Sequence, residues 1–317
     1  MRIEPVTLDD IRNARGRIAD SVIRTPLVRL NVDDTEIFLK LETLQPIGSF
    51  KLRGAGNAIA MATPEQLENG VYTASAGNMA QGVAWHARRL GIPCTVIVPD
   101  HAPETKLAAI TRLAGKFIKV PFDEWWQVMV TRHYPGLEGL FVHPVSDAAV
   151  IAGNGTIGLE ILEDFPDVDT ILVPYGGGGL GCGIAIAMRA LKPEVKVYGC
   201  EVETSAPFAA ALAAGGPVTI DYTPSFVDGI GSRGVLEEMW PLAQSLLDGS
   251  IVMSLSDVAE AVRILAERNR VIAEGAGATP VAAALSDRMK GSGRIACVVS
   301  GGNIDFEKLV RIFRREL

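Results

Sequence analysis

The chain has 317 residues, of which 48% are hydrophobic and 21% are charged, a composition typical of globular proteins. Its formal net charge is −7 and its lysines and arginines form no cluster, which argues against a nucleic-acid partner. A chain of this length predicts two lobes, because single hydrophobic cores stop growing at about 250–300 residues.

The sequence shows neither an export signal nor a membrane span. Its first residues, M-R-I-E-P, do not begin the apolar segment of a signal peptide, and no stretch approaches the length of a membrane helix. The cysteines lie far apart, and most fall in apolar, strand-like runs, as buried reduced thiols do. They are Cys94, Cys182, Cys200 and Cys297. We therefore expect a cytoplasmic protein without a membrane partner.

Helical and strand-like segments alternate along most of the chain. Thr7 followed by Asp10 predicts a capped helix, and Ile11, Ala14 and Ile18 have helical spacing. Strands are predicted at 37–41, 71–74, 94–98, 117–120, 170–173, 195–200 and 294–299, and further helices at about 80–90, 103–114 and up to 191. Short runs rich in valine and isoleucine between helices predict an α/β fold, with two open lobes of parallel sheets flanked by helices. The cleft between the lobes is the expected ligand site.

The segment S-F-K-L-R-G at 49–54 contains the most reactive candidate side chain, Lys51. It follows the helix-breaking residues Pro46 and Gly48 and is flanked by Phe50. A lysine in an apolar setting loses its proton more easily, and a neutral amine can hold a carbonyl cofactor as a Schiff base. A solvated lysine at a helix start is the simpler interpretation. Two downstream loops, one rich in glycine and one containing asparagine, favour the functional interpretation.

The glycine-rich loop P-Y-G-G-G-G-L-G at 174–181 follows a predicted strand and precedes a helix. Consecutive glycines allow backbone N–H groups to surround an anion at a helix N-terminus, so the loop predicts a phosphate site. It is not a P-loop, because no Lys-Ser or Lys-Thr pair follows. Gly176, Gly178 and Gly181 also satisfy G-x-G-x-x-G, with Glu201 following the next strand, so an NAD(P)-dependent dehydrogenase is an alternative. That alternative gives Lys51 no role.

Five segments resemble, in the same order, the threonine/serine dehydratase (ammonia-lyase) branch of the fold-type II pyridoxal-phosphate enzymes, which is related to serine racemase. They are R-T-P-L at 24–27, K-L-E at 40–42 with G-S-F-K-L-R-G-A at 48–55, S-A-G-N at 75–78 with A-Q-G at 80–82, V-I-A-G-N-G-T at 150–156 and S-G-G-N at 300–303. The resemblance implies a tryptophan synthase β-like fold. It also implies a large cofactor-binding domain at 1–44 and 148–317 and a small domain at 45–147.

The resemblance further implies a pyridoxal 5'-phosphate site and a role for each matching residue. Lys51 would hold the cofactor and then remove the substrate Cα proton as the general base. The other implied cofactor contacts are Phe50 beside the ring, Asn78 at the phenolic oxygen, Gly176, Gly177, Gly178, Gly179 and the Leu180 amide at the phosphate, and Ser300 at the pyridine nitrogen. The substrate carboxylate would meet the amides of Ser75, Ala76, Gly77 and Asn78 and the side chain of Gln81. The implied reaction converts a β-hydroxy-α-amino acid, similar to threonine or serine, into a 2-oxo acid and ammonia.

Some positions depart from the family pattern. Ala76 stands where serine racemases place a second serine that returns a proton to Cα, so we expect little racemisation. Met79 replaces the usual histidine and Asn154 the usual glutamine. Trp125 and Trp126 open a segment where relatives that act on hydroxyaspartate carry an arginine. Two such tryptophans are typical of a core; if one of them lined the pocket, substrates with apolar side chains would be favoured.

No metal site is predicted. Some relatives bind a divalent cation near the equivalent of Glu201 with a second carboxylate six residues later, a position held here by Pro207. Glu203 lies nearby, but oxygen-ligand sites usually need more than one carboxylate. A divalent cation is thus compatible with the sequence without being predicted. The histidines lack metal-ligand spacing and are interpreted as surface or structural residues.

Three other functions fit parts of the pattern: a β-replacing synthase of the same fold, an amino-acid racemase of the same fold, and a non-catalytic ligand-sensing module. The expected partner is a small amino-acid substrate, and the family suggests a homodimer.

Overall fold

The computed structural model describes residues 3–33 and 35–317. The helices within these residues are α1 (Leu8–Ile18), α2 (Lys51–Met61), α3 (Pro64–Leu67), α4 (Asn78–Leu90), α5 (Glu104–Arg112), α6 (Phe122–Thr131), α7 (Ala148–Asp164), α8 (Gly179–Leu191), α9 (Pro207–Ala214), α10 (Trp240–Leu246), α11 (Leu255–Asn269), α12 (Gly275–Leu285) and α13 (Phe306–Phe313). None of these described helices has both the length and the apolarity that a membrane crossing requires.

The strands of the same residues form two separate sheets. They are β1 (Leu27–Arg29), β2 (Ile37–Leu41), β3 (Val71–Ala74), β4 (Cys94–Pro99), β5 (Lys116–Val120), β6 (Leu140–Phe141), β7 (Thr170–Pro174), β8 (Lys196–Val202), β9 (Gly249–Met253) and β10 (Ile295–Val299). One sheet has the order β1-β2-β10-β7-β8-β9 and the other the order β5-β4-β3-β6. All neighbouring strands are parallel except β1 and β2, so the predicted fold of parallel sheets flanked by helices is confirmed.

Helix α1 begins as its sequence predicts. The Thr7 hydroxyl accepts a hydrogen bond from the Asp10 N–H at 3.2 Å, and the Asp10 carboxylate accepts the Thr7 N–H at 2.8 Å. This reciprocal capping box satisfies backbone donors that a helix start leaves without partners. Ile11, Ala14 and Ile18 are buried. The predicted capped helix is confirmed.

The three loops singled out in the sequence all follow carboxyl ends of parallel strands. The segment at 75–78 follows β3, the glycine loop follows β7, and Ser300 follows β10. Ligands of α/β proteins bind at this edge of a parallel sheet, because the loops and helix N-termini converge there. The fold therefore gathers the candidate residues at one cleft.

A buried cluster of charges holds the first turn of α2 through Arg53, two residues after Lys51. Arg53 Nε lies 2.8 Å from Glu42 Oε2, and Arg53 Nη1 lies 2.7 Å from Glu160 Oε1. Lys40 Nζ lies 2.5 Å from Glu160 Oε2. All four side chains are almost fully buried, so each charge depends on its partners. Glu42 lies directly after β2, and Glu160 lies in α7. The cluster therefore joins α2 to the lobe that contains the six-stranded sheet.

Candidate active site

Lys51 is the first residue of α2, and its amine is held by a single main-chain acceptor. Nζ donates to the Pro144 carbonyl oxygen at 2.6 Å and lies 5.1 Å from the centre of the Phe50 ring. Burial lowers the pKa of Lys51 to about 8, and the nearby Glu274 carboxylate only partly opposes this shift. A larger fraction of this amine is therefore neutral near physiological pH than of an exposed lysine.

The glycine loop opens α8, with Gly178 at its N-cap in a left-handed conformation, φ +90°. Within the described residues, the backbone N–H groups of 176–180 donate to no protein acceptor, as expected for the first turn of a helix. A Cβ on Gly177 would lie 2.5 Å from Val145 Cγ1, and one on Gly179 would lie 2.8 Å from the Val145 carbonyl oxygen. The loop is thus too tightly packed for side chains and presents open donors to an anion.

The turn at 144–145 connects Lys51 with the glycine loop, since Pro144 accepts the amine and Val145 packs against the glycines. His143 holds this turn: its Nδ1 accepts the N–H groups of Val145 at 3.0 Å and Ser146 at 2.8 Å. Burial, assisted by the nearby Arg132, lowers the pKa of His143 to about 3, so the ring stays neutral and can accept. The sequence offered no signal for this role beyond the histidine itself.

Asn78 is the first residue of α4 and meets the other lobe at Glu274. Its Nδ2 donates to Glu274 Oε1 at 2.8 Å. Burial, together with the charge of Asp228, raises the pKa of Glu274 to about 7. Glu274 was missed in the sequence, where its only signal is an isolated acid before a helix rich in alanine and glycine. Ser300 is buried, and its carbonyl oxygen accepts the Phe50 N–H at 3.0 Å, which places it next to the Lys51 helix.

The loop at 75–78 combines satisfied and open backbone donors. The Ser75 N–H donates to the Ile97 carbonyl oxygen at 3.1 Å, and the Gly77 N–H donates to the Ser75 hydroxyl at 3.2 Å. The N–H groups of Ala76 and Asn78 meet no acceptor among the described residues. A Cβ on Gly77 would contact no atom within 4 Å, so the loop borders open space. Gln81 is buried one turn further along α4.

Other residues considered in the sequence lie outside this cluster. Met79 is buried in the core of the four-stranded-sheet lobe, and Trp125 packs against a smaller core there. The Trp126 side chain is 39% exposed.

Glu201 has a local structural role. Its carboxylate accepts the N–H groups of Phe208 and Ala209 at 2.8 Å each and the Ser250 hydroxyl at 2.5 Å. It therefore caps the start of α9 and is fully buried. The Glu201 carboxylate is therefore not available to bind the ribose of a dinucleotide, which counts against the dehydrogenase alternative. Across residues 3–33 and 35–317, no three histidine, cysteine, aspartate or glutamate side chains converge as a metal site would require.

Pyridoxal phosphate fits these residues. Its aldehyde requires a neutral amine, and Lys51 supplies one with a lowered pKa. Its phosphate requires several N–H donors, and the glycine loop leaves the backbone N–H groups of 176–180 without a protein acceptor among the described residues.

Comparison with known proteins supports the same cofactor. Residues 18–301 match the family described as pyridoxal-phosphate dependent enzymes. An L-threonine ammonia-lyase of Thermotoga maritima is 40% identical over 98% of this chain and 79% of its own length. The catabolic L-threonine dehydratase TdcB of Escherichia coli is 36% identical over 97% of this chain and 96% of its own. The structure of maize serine racemase superposes with a TM-score of 0.91 at 34% identity, covering 99% of this chain and 98% of that one. The chain therefore belongs to the family of pyridoxal-phosphate dependent enzymes.

Proposed function

We propose that the protein is a pyridoxal-phosphate dependent dehydratase, or ammonia-lyase, which converts a β-hydroxy-α-amino acid such as threonine or serine into a 2-oxo acid and ammonia. One observation carries the proposal: the Lys51 amine and the glycine loop meet at the turn 144–145, so a base and a phosphate site lie side by side. The named activities of the Thermotoga maritima and Escherichia coli relatives are of this kind.

Different residues of the chain perform different steps of the proposed reaction. The cofactor, when bound, supplies an electron sink that acidifies the substrate Cα–H bond. Lys51 removes the Cα proton, for which its pKa of about 8 is well placed near neutral pH. The open amides at 76 and 78, at the start of α4, bind the substrate carboxylate. Ser300 would meet the ring nitrogen with a neutral hydroxyl, which would suit an elimination in which the departing β-hydroxyl carries the charge away.

The proposed substrates carry a small or apolar group at the β-carbon. The relatives from Thermotoga maritima and Escherichia coli are named for L-threonine, and among the described residues no side chain placed at the site above carries a positive charge for a second carboxylate besides Lys51, which serves as the base. Threonine and serine are therefore preferred over 3-hydroxyaspartate.

A panel of substrates tests the proposal. The purified protein with bound cofactor is mixed with L-threonine, L-serine, both 3-hydroxyaspartate diastereomers and phenylserine, while visible absorbance and oxo-acid release are followed. We expect oxo acid from threonine or serine. A visible cofactor band without oxo acid from any compound would contradict the dehydratase and favour a β-replacing synthase.

Ala76→Ser should introduce some racemisation of L-serine. The added hydroxyl is a proton donor at the position where serine racemases place one, whereas alanine has no proton to transfer. Chiral chromatography of serine recovered from the reaction measures the D-enantiomer. Ala76→Gly, which changes the volume without adding a donor, is the control and should form none. An unchanged enantiomer ratio in Ala76→Ser would show that position 76 does not face Cα.

Gly178→Ala should weaken cofactor binding by about tenfold or more. Alanine is strained at φ +90°, and its Cβ would approach the Tyr175 ring and hydroxyl at 3.2 Å, so the loop must move and misalign its donors. Titration of the apoprotein with pyridoxal phosphate, followed by fluorescence, gives the dissociation constant.

The matched control is Gly181→Ala in the first turn of α8. Its Cβ would make only ordinary contacts, at 3.4 Å or more, with Leu247. Equal dissociation constants for the two variants would show that the loop does not hold the phosphate.

We also propose that residues 1–44 and 148–317 form the large cofactor-binding domain and 45–147 the small domain. The two sheets support this division, since the four-stranded sheet comes entirely from residues 71–141. A cytoplasmic homodimer is proposed by analogy with the family, and all four cysteines are free and buried, which suits a reducing compartment. Sedimentation analysis of the purified protein tests the dimer.

A further inference from the structure

The last residue of the S-G-G-N segment, Asn303, contacts two other parts of the candidate site. Its Nδ2 donates to the Ile47 carbonyl oxygen at 2.8 Å and to Asn78 Oδ1 at 2.8 Å. One hydrogen of this amide therefore bonds the main chain at Ile47, four residues before Lys51, and the other bonds the side chain of Asn78 in the four-stranded-sheet lobe.

The Ile47 carbonyl determines the orientation of the Asn303 amide. A carbonyl oxygen can only accept, so the group facing it must be the NH₂ of Asn303 and not its oxygen. Asn303 is held beside Ile47 by its neighbours, because the Gly302 N–H donates to the Gly48 carbonyl oxygen at 2.9 Å. The orientation of Asn303 is therefore fixed by the backbone.

Asn303 in turn determines which end of the Asn78 amide faces which partner. The Asn78 oxygen must accept the remaining Asn303 hydrogen, which leaves Asn78 Nδ2 toward Glu274 Oε1, at 2.8 Å. Glu274 makes no hydrogen bond to its own helix α12, so its carboxylate is free to serve Asn78. The Asn303 donor, together with the ionised Glu274 carboxylate as acceptor, allows only one orientation, and the second N–H of Asn78 remains unused by these partners.

We propose that Asn303 is a positioning residue that, through Asn78, presents an N–H donor to the phenolic oxygen of the cofactor. This inference rests on the proposed function, in which Asn78 contacts that oxygen. A donor stabilises the phenolate form of the ring, whereas the Asn78 oxygen in the opposite orientation would repel it.

Asn303→Asp tests the inference with almost no change of shape. The carboxylate can only accept, so Asn78 must turn its NH₂ toward position 303 and its oxygen toward Glu274. We expect cofactor affinity to fall by about tenfold, the effect of one lost hydrogen bond. We also expect absorbance to move from the visible band into the near ultraviolet, because the phenolate becomes protonated. The kcat should fall while KM for the amino acid stays nearly constant.

Two further variants separate orientation from packing and from charge. Asn303→Leu has a similar shape but neither donors nor charge. Above about pH 8 Glu274 is ionised and alone still favours the original Asn78 orientation, so cofactor affinity at that pH should fall by less than about threefold. Asn269→Asp is the matched control for the chemical change, because Asn269 Nδ2 also donates to a main-chain carbonyl, that of Arg29, at 2.9 Å. Its cofactor spectrum and affinity should equal those of the wild type.

The relative changes in cofactor spectrum and affinity among the three variants test the positioning role of Asn303. A spectrum of Asn303→Asp equal to that of Asn269→Asp, or a loss in Asn303→Leu as large as in Asn303→Asp, would overturn the positioning role and leave the dehydratase intact. A wild-type protein that binds no pyridoxal phosphate would overturn both.

Discussion

Lys51→Ala is expected to lower oxo-acid release by at least about 10³-fold, because the variant loses both the amine that holds the cofactor and the base that removes the Cα proton. Borohydride reduction followed by peptide mass analysis provides a readout independent of turnover. In the wild type the reduced cofactor should be attached at Lys51, and in the variant no cofactor should remain attached.

Lys116→Ala is the control for loss of a lysine, since Lys116 lies exposed in β5, away from the Pro144 carbonyl that holds Lys51. It should retain full activity. Substantial oxo-acid release by Lys51→Ala would show that another residue removes the Cα proton. The lowered pKa of Lys51 would then have no part in that step.

Arg53→Met is expected to lower the free energy of unfolding by about 3–5 kcal/mol, the cost of leaving buried carboxylates without a partner. Arg53 contacts both Glu42 and Glu160, and the three side chains are 0–5% exposed. Burial alone would raise the pKa of Glu42, but the charge and hydrogen bonds of Arg53, together with the Thr25 hydroxyl and the Lys40 charge, outweigh burial and lower it. Urea denaturation followed by circular dichroism measures the change.

Arg12→Met is the matched control, because Arg12 pairs with Asp9 on the surface of α1, where both side chains are more than half exposed. Loss of this surface ion pair should lower the free energy of unfolding by less than about 1 kcal/mol. An Arg53→Met protein as stable as Arg12→Met would mean that the buried cluster contributes nothing to holding the Lys51 helix.

Much of the fold could be predicted from local sequence signals. The capping box at Thr7 and the runs of valine and isoleucine in β3, β4, β7 and β10 are properties of neighbouring residues, and these elements lie within a few residues of their predicted bounds. The antiparallel pair β1–β2 was not predicted, since β1 is three residues long and depends on its partner. Strand β9 was also missed, because its G-S-I-V-M sequence is short and only partly buried.

The residues of the candidate site likewise include some that the local sequence reveals and some that it does not. Lys51 and the glycine loop could be recognised because their chemistry depends on residue type within one segment. Glu274 and the turn at 144–145 could not, because their roles arise from contacts between distant segments. Glu274 meets Asn78, 196 residues earlier in the chain, and Pro144 meets Lys51, 93 residues earlier.

The most direct test of the proposed function is the stoichiometry of products formed from L-threonine by the wild-type protein with bound cofactor. Dehydration followed by hydrolysis predicts one 2-oxo acid and one ammonia for each threonine consumed, without any added nucleophile and only when pyridoxal phosphate is present. Threonine that is recovered unchanged by a protein whose cofactor is covalently held at Lys51 would contradict the assignment of a threonine-type dehydratase.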